Sequence, residues 1–83
     1  MIFIDSNVVV YANYARDPLK QRVALNAIEK AMRSGTGVVS TQVLQEYANV
    51  ALGKLAQRQD VVLRQLAILE RLQVVSQTPL LVR

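Results

Sequence analysis

The chain has 83 residues, room for one small domain at most; 52% of them are hydrophobic and the formal net charge is +4. A chain of this length hides only about 60% of its unfolded surface, so so apolar a composition predicts burial against another chain or a further part of the same domain. The 83 residues include no Cys and no His, which excludes disulfides, thiolate or imidazole metal ligands and Ser–His chemistry.

Only hard oxygen ligands remain for a metal, which suits Mg²⁺ or Mn²⁺. The basic balance, with a pI near 10.0, suits nucleic acid or an acidic partner. The opening MIFIDSNVVVYAN is apolar but carries no basic leader and meets Asp5 early, unlike a signal peptide. No apolar run approaches the length of a membrane span. A cytoplasmic protein without membrane contact is expected.

In chain order, Met1–Ile4 reads as a short strand ending at Asp5. Ser6 and Asn7 offer cap chemistry for a helix through Val8–Tyr14, although the β-branched run weakens it. Asp17-Pro18 is a sharper start, with Asp at the cap and Pro at the first helical position. Leu19, Val23, Ala27 and Ala31 then repeat every fourth residue, and Ser34-Gly35 ends the helix; Gly suits a left-handed cap. Gly37–Ser40 reads as a buried strand. Ser40-Thr41 opens another helix, with Val43, Leu44, Tyr47, Ala48, Ala51, Leu52 and Leu55 in helical period and Gly53 weakening its end. Asp60 suits the cap of a fourth helix that turns Val62, Leu63, Leu66, Ala67 and Leu69 inward. Gln73-Val74-Val75 is a third strand, Pro79 stops any helix before it, and Leu80–Arg83 reads as the start of a further element.

Short apolar strands alternating with helices predict an α/β fold, a parallel sheet with helices on both faces and right-handed crossovers. Sheets commonly have about four to six strands, so three strands predict a sheet incomplete at its C-terminal side.

Two acidic residues carry the chemical expectation. Asp5 ends the first strand, and ligands of open α/β sheets bind outside the carboxyl ends of strands. Glu46 lies one to two turns into the helix after the second strand, at the border of its apolar stripe. Parallel pairing of those strands lets Asp5 and Glu46 converge, the minimum for holding a Mg²⁺ that keeps several waters. Each residue also has a plain structural use. Asp5 suits a helix cap, Glu46 a solvated helix face, Ser6 and Asn7 caps, and Tyr11, Tyr14 and Tyr47 core or core-edge aromatics rather than base-stacking platforms. Asp17, Glu29, Asp60 and Glu70 read as caps or exposed helix charges.

The stretch I-F-I-D-S-N-V-V-V-Y-A resembles the first motif of PIN domains, an apolar strand, an Asp, then a polar pair starting a helix. V-V-S-T-Q-V-L-Q-E-Y-A-N-V resembles their second motif, and the chain as a whole is similar to the N-terminal portion, residues 1–83, of a single PIN domain, closest to VapC-type toxins of toxin–antitoxin pairs. The resemblance implies a Rossmann-like sheet and a Mg²⁺/Mn²⁺-dependent endoribonuclease. Asp5 and Glu46 match the first two of its three or four acids, and Ser6 and Asn7 the polar pair that supports the site. RNA is the implied substrate, an antitoxin protein the implied inhibitor, and a homodimer or higher oligomer the implied assembly. In that fold the first strand is central, so a chain stopping at Arg83 is expected to leave one edge of it unpaired. The family's later acids have no match, since only Asp60 and Glu70 follow Glu46. The 83-residue chain is therefore expected to be truncated and inactive. The alternative reading is a non-catalytic interaction or nucleic-acid-binding module.

Overall fold

The computed structural model describes residues 1–76; the reading of Pro79 and of Leu80–Arg83 lies outside them. The elements run β1 (Ile2–Ile4), α1 (Ser6–Ala12), α2 (Pro18–Ser34), β2 (Gly37–Ser40), α3 (Thr41–Leu52), α4 (Gln59–Leu69) and β3 (Gln73–Val75). This is the α/β order read from the sequence.

Local chemistry explains most boundaries. The Asp17 carboxylate accepts the Lys20 N–H at 3.2 Å ahead of Pro18, and Gly35 closes α2 at φ 70°, donating its N–H to Met32. Two expectations are corrected. The cap of α1 is Asp5, not Ser6 or Asn7, so the helix begins at Ser6 and ends at Ala12. Asp60 does not cap α4; it lies in the first turn, where the Arg58 guanidinium holds it at 2.8 Å, and the cap position is Arg58 itself. A carboxylate there still meets the positive end of the helix dipole.

The three strands form one parallel sheet in the order β1-β2-β3. Ile2, Phe3 and Ile4 stand beside Gly37, Val38 and Val39, and Val38, Val39 and Ser40 beside Gln73, Val74 and Val75. The central strand, β2, is buried at all four residues. On β1, Ile4 is buried but Phe3, which alternation turns to the opposite side, is 51% exposed.

The four helices and the sheet share one core, in which Ile4 and Val39 meet Val9 of α1, Ala31 of α2, Val43, Tyr47 and Ala51 of α3, and Val62 and Leu69 of α4. Small residues let backbones approach. A Cβ on Gly37 would lie 2.9 Å from both the Cβ and the carbonyl oxygen of Ala31, so α2 rests directly on the start of β2. The apolar stripe expected on α2 is only half buried. Ala31 is enclosed, whereas Leu19 is 75% and Val23 69% exposed, because the first turns of α2 reach beyond the sheet. Leu52 and Leu63, expected to face inward, are exposed as well. Among the described residues no helix is long and apolar enough to cross a membrane.

Candidate active site

The carboxyl ends of β1 and β2 lie side by side, since Ile4 stands beside Val39 in parallel register. The next residue of each strand, Asp5 and Ser40, turns the chain into a helix. Asp5 has extended backbone (φ −94°, ψ 172°), and its Oδ1 accepts the Val8 N–H at 3.1 Å. Ser40 is alike (φ −90°, ψ 156°), and its Oγ accepts the Val43 N–H at 3.1 Å. Ser40 is fully buried, and its hydroxyl is committed to the cap. Asp5 is exposed, and its Oδ2 accepts no hydrogen bond from the described residues. One carboxylate oxygen is therefore available at the strand ends.

Ser6 is half-buried and Asn7 exposed. Neither side chain hydrogen-bonds within the described residues. Glu46 is exposed on the second turn of α3, about 7–8 Å along the axis from the helix start at 1.5 Å per residue. Its neighbour Tyr47 is fully buried and its hydroxyl donates to Gln57 Oε1 at 3.3 Å. Burial pushes the Tyr47 phenol above its ordinary value of 10.0, because the charged form would lose its hydration. Tyr47 thus fixes the rotation of α3 and keeps Glu46 on the outer surface. Helices α1 and α3 pack against each other, so the two acid-bearing segments leave adjacent strand ends as neighbours.

Asp5 and Asn7 also border a groove of about 380 Å³ between α1 and α2, lined further by Tyr11, Leu19, Lys20 and Val23. Glu46 does not line it. The Lys20 ammonium stands 4.9 Å from the Tyr11 ring centroid and donates to the Tyr11 hydroxyl at 3.5 Å, a cation–π arrangement. Sequence reasoning placed Tyr11 in the core or at its edge, where it is half-buried, and passed over Lys20. Tyr11 is four residues after Asn7 on the same helix face, a spacing that could have linked it to the site. Lys20 joins it only through the α1–α2 packing, which no local signal announces.

The remaining carboxylates lie elsewhere. Asp17 caps α2 through one oxygen, Glu29 pairs with Arg33, Asp60 pairs with Arg58, and Glu70 is exposed at the end of α4. Among the described residues no three acidic side chains gather into one group.

The PIN domain family model matches residues 2–83, from the first residue of β1 onward. The chain belongs to the PIN-domain family. No curated protein and no solved structure matches it. PIN domains are generally divalent-metal-dependent nucleases, and the donors at this domain's strand ends fit such an ion. They are hard oxygens, they are exposed, and that of Asp5 has an oxygen to spare after capping. Mg²⁺ needs few protein ligands because it keeps several waters.

Proposed function

We propose that this PIN domain belongs to a metal-dependent endoribonuclease of the VapC-type toxin group, with Asp5 and Glu46 as the metal-holding and catalytic pair. Ser6 and Asn7 position Asp5 or a bound water. A divalent ion held there, Mg²⁺ or Mn²⁺, supplies an activated water and neutralises phosphate charge. The chain's own contribution is to orient. Asp5 is fixed by its cap to Val8, Glu46 by the buried Tyr47, and Lys20 offers a cation to the RNA backbone beside Asp5.

The observation that carries this reading is the paired strand end in which the exposed Asp5 keeps one carboxylate oxygen unengaged. The proposal extends to an antitoxin protein as inhibitor, action in the cytoplasm, and a homodimer or higher oligomer. The last is supported by β1, which among the described residues pairs only with β2 and exposes Phe3; an open strand edge invites pairing.

A second reading, RNA binding without cleavage, is favoured by the absence of a three-acid group among the described residues. Electron paramagnetic resonance titration with Mn²⁺, paired with cleavage of a single-stranded RNA, separates the two. The nuclease reading expects Mn²⁺ binding that Asp5→Asn and Glu46→Gln each abolish, with little or no cleavage by the 83-residue chain because two carboxylates anchor the ion weakly. Mn²⁺ binding that neither substitution touches, or no binding at millimolar Mn²⁺, sinks it. Robust cleavage lost in both variants would instead show that two acids suffice.

A further inference from the structure

The far ends of α1 and α3 meet in a second cleft, of mixed polar and apolar lining, that this function leaves unused. The loop after α1 (13–17) and the loop after α3 (53–58) enclose about 530 Å³, lined by Asn13, Tyr14, Arg16, Lys54 and Gln57 among others. The loops are tied together. Gln57 Nε2 donates to the Asn13 carbonyl at 3.1 Å, and Gln57 Oε1 accepts from the buried Tyr47 hydroxyl. The second loop is fixed by the Leu55 and Gln57 N–H groups, which donate to Val50 and Ala51 at 3.0 and 2.8 Å. Ala56 sits there in the left-handed region at φ 49°, a conformation unfavourable for a non-glycine residue that persists where its surroundings impose it.

Charge and chemistry define what the cleft takes. Arg16 and Lys54, exposed and 38 positions apart, are both in its lining, and no carboxylate is. Neither cation pairs with a carboxylate among the described residues, unlike Arg33 and Arg58. Asp17, beside Arg16 in sequence, caps α2 through Oδ1 and does not line the cleft. Tyr14 is half-buried in the same lining, which sets an aromatic face beside two cations. Such faces stack unpaired bases, and cations neutralise backbone phosphates.

We infer that the Arg16–Lys54–Tyr14 cleft is a subsite for single-stranded RNA, two cations on the phosphodiester backbone and Tyr14 against a base. It rests on the RNA reading above and adds a second contact point. α1 joins Asp5 to the cleft over about 10 Å of helix, a separation that a few nucleotides of single strand can span.

The test needs neither metal nor cleavage. Binding of a fluorescein-labelled oligouridylate ten-mer to the 83-residue chain is followed by anisotropy in chelator over a salt series. Arg16→Gln/Lys54→Gln is expected to reduce the slope of log affinity against log salt by about 1.4, at about 0.7 per phosphate contact on single strands. It also weakens binding on the order of tenfold at 0.1 M salt. Arg16→Lys/Lys54→Arg restores both, which shows that the fold survives. Tyr14→Leu weakens binding about tenfold with the slope unchanged. The control Lys30→Gln/Arg64→Gln, two exposed cations outside the cleft, leaves the slope near wild type. Equal slope changes in the cleft and control variants would mean diffuse charge and overturn the subsite, as would no oligouridylate binding at all, or cation-dependent binding of a polyglutamate peptide in its place. Loss of Mn²⁺ binding or of cleavage bears on Asp5 and Glu46 alone and leaves the slope comparison intact.

Discussion

The ends of β1 and β2 are built to one plan and put to different uses. Both strands finish in an extended residue whose side-chain oxygen takes the N–H three positions on at 3.1 Å, and both launch a helix of the same packed pair. Ser40 does this in full burial and with a neutral group. Asp5 does it at the surface, with a charge and a second oxygen that the cap does not require. Capping is served equally by Ser, Asp or Asn, and a carboxylate at position 5 also meets the positive end of the α1 dipole. Asp17 caps α2 with the same kind of spare oxygen; what distinguishes Asp5 is that its oxygen stands exposed beside the end of a neighbouring parallel strand.

The sharpest way to break that comparison is to exchange the two solutions. Ser40→Asp places a carboxylate where the surroundings offer one N–H and no cation, and is expected to cost about 3 kcal/mol or more, on the scale of an unpaired buried charge. Urea unfolding at pH 7 reads the loss, which shrinks on acidification as the carboxyl takes up a proton. Stability within about 0.5 kcal/mol of wild type would show that the β2 end is open after all.

A smaller effect separates cap from charge. Ser40→Ala and Asp5→Ala each lose a capping bond and are expected to lower stability by about 1 kcal/mol. Asp5→Asn keeps the bond and stays within about 0.5 kcal/mol of wild type while losing Mn²⁺ binding. If Asp5→Asn melts like Asp5→Ala, the charge at position 5 is structural and the difference between the strand ends loses its meaning.

The smallest effect lies at high pH. The Tyr47 phenol titrates above its ordinary value of 10.0 in the folded chain because burial disfavours its charge. The unfolded chain therefore gives up that proton first, and the stability it contributes is complete below about pH 10 and lost as pH rises beyond. Tyr47→Phe is expected to flatten this decline, as followed by denaturant midpoints between pH 9 and pH 11. An unchanged decline would show that Tyr47 does not carry it.

The sequence made strands and most helix ends legible because short-range chemistry decides them. Asp17-Pro18, Gly35 and Ser40-Thr41 each act where they stand in the chain. Asp5 was legible as the residue that ends the first strand, but the choice among Asp5, Ser6 and Asn7 as the cap was not. Three consecutive capping residues compete, and the register of β1 on β2 decides between them. The outer half of the α2 stripe was misread because helical period reports that a face is apolar, not that anything covers it. Lys20 beside Tyr11 and Arg16 beside Lys54 were invisible for a related reason. Each pair is made by two segments meeting in space, and neither segment carries a mark of the other. Asp60 was misplaced by two positions because its bond to Arg58 competes with a capping role.

Gly37 bears on the site at the opposite end of α2. Ala31 sits on the bare backbone of that glycine, which makes the contact a fulcrum and the helix before it a lever arm. From Ala31 to Lys20 the arm is about 16 Å at 1.5 Å per residue. A side chain added at the fulcrum that tilts it by about 5° carries the Lys20 backbone about 1.5 Å, given that length. The glycine that closes the amino end of β2 thereby sets the aim of an ammonium group that lines one groove with Asp5.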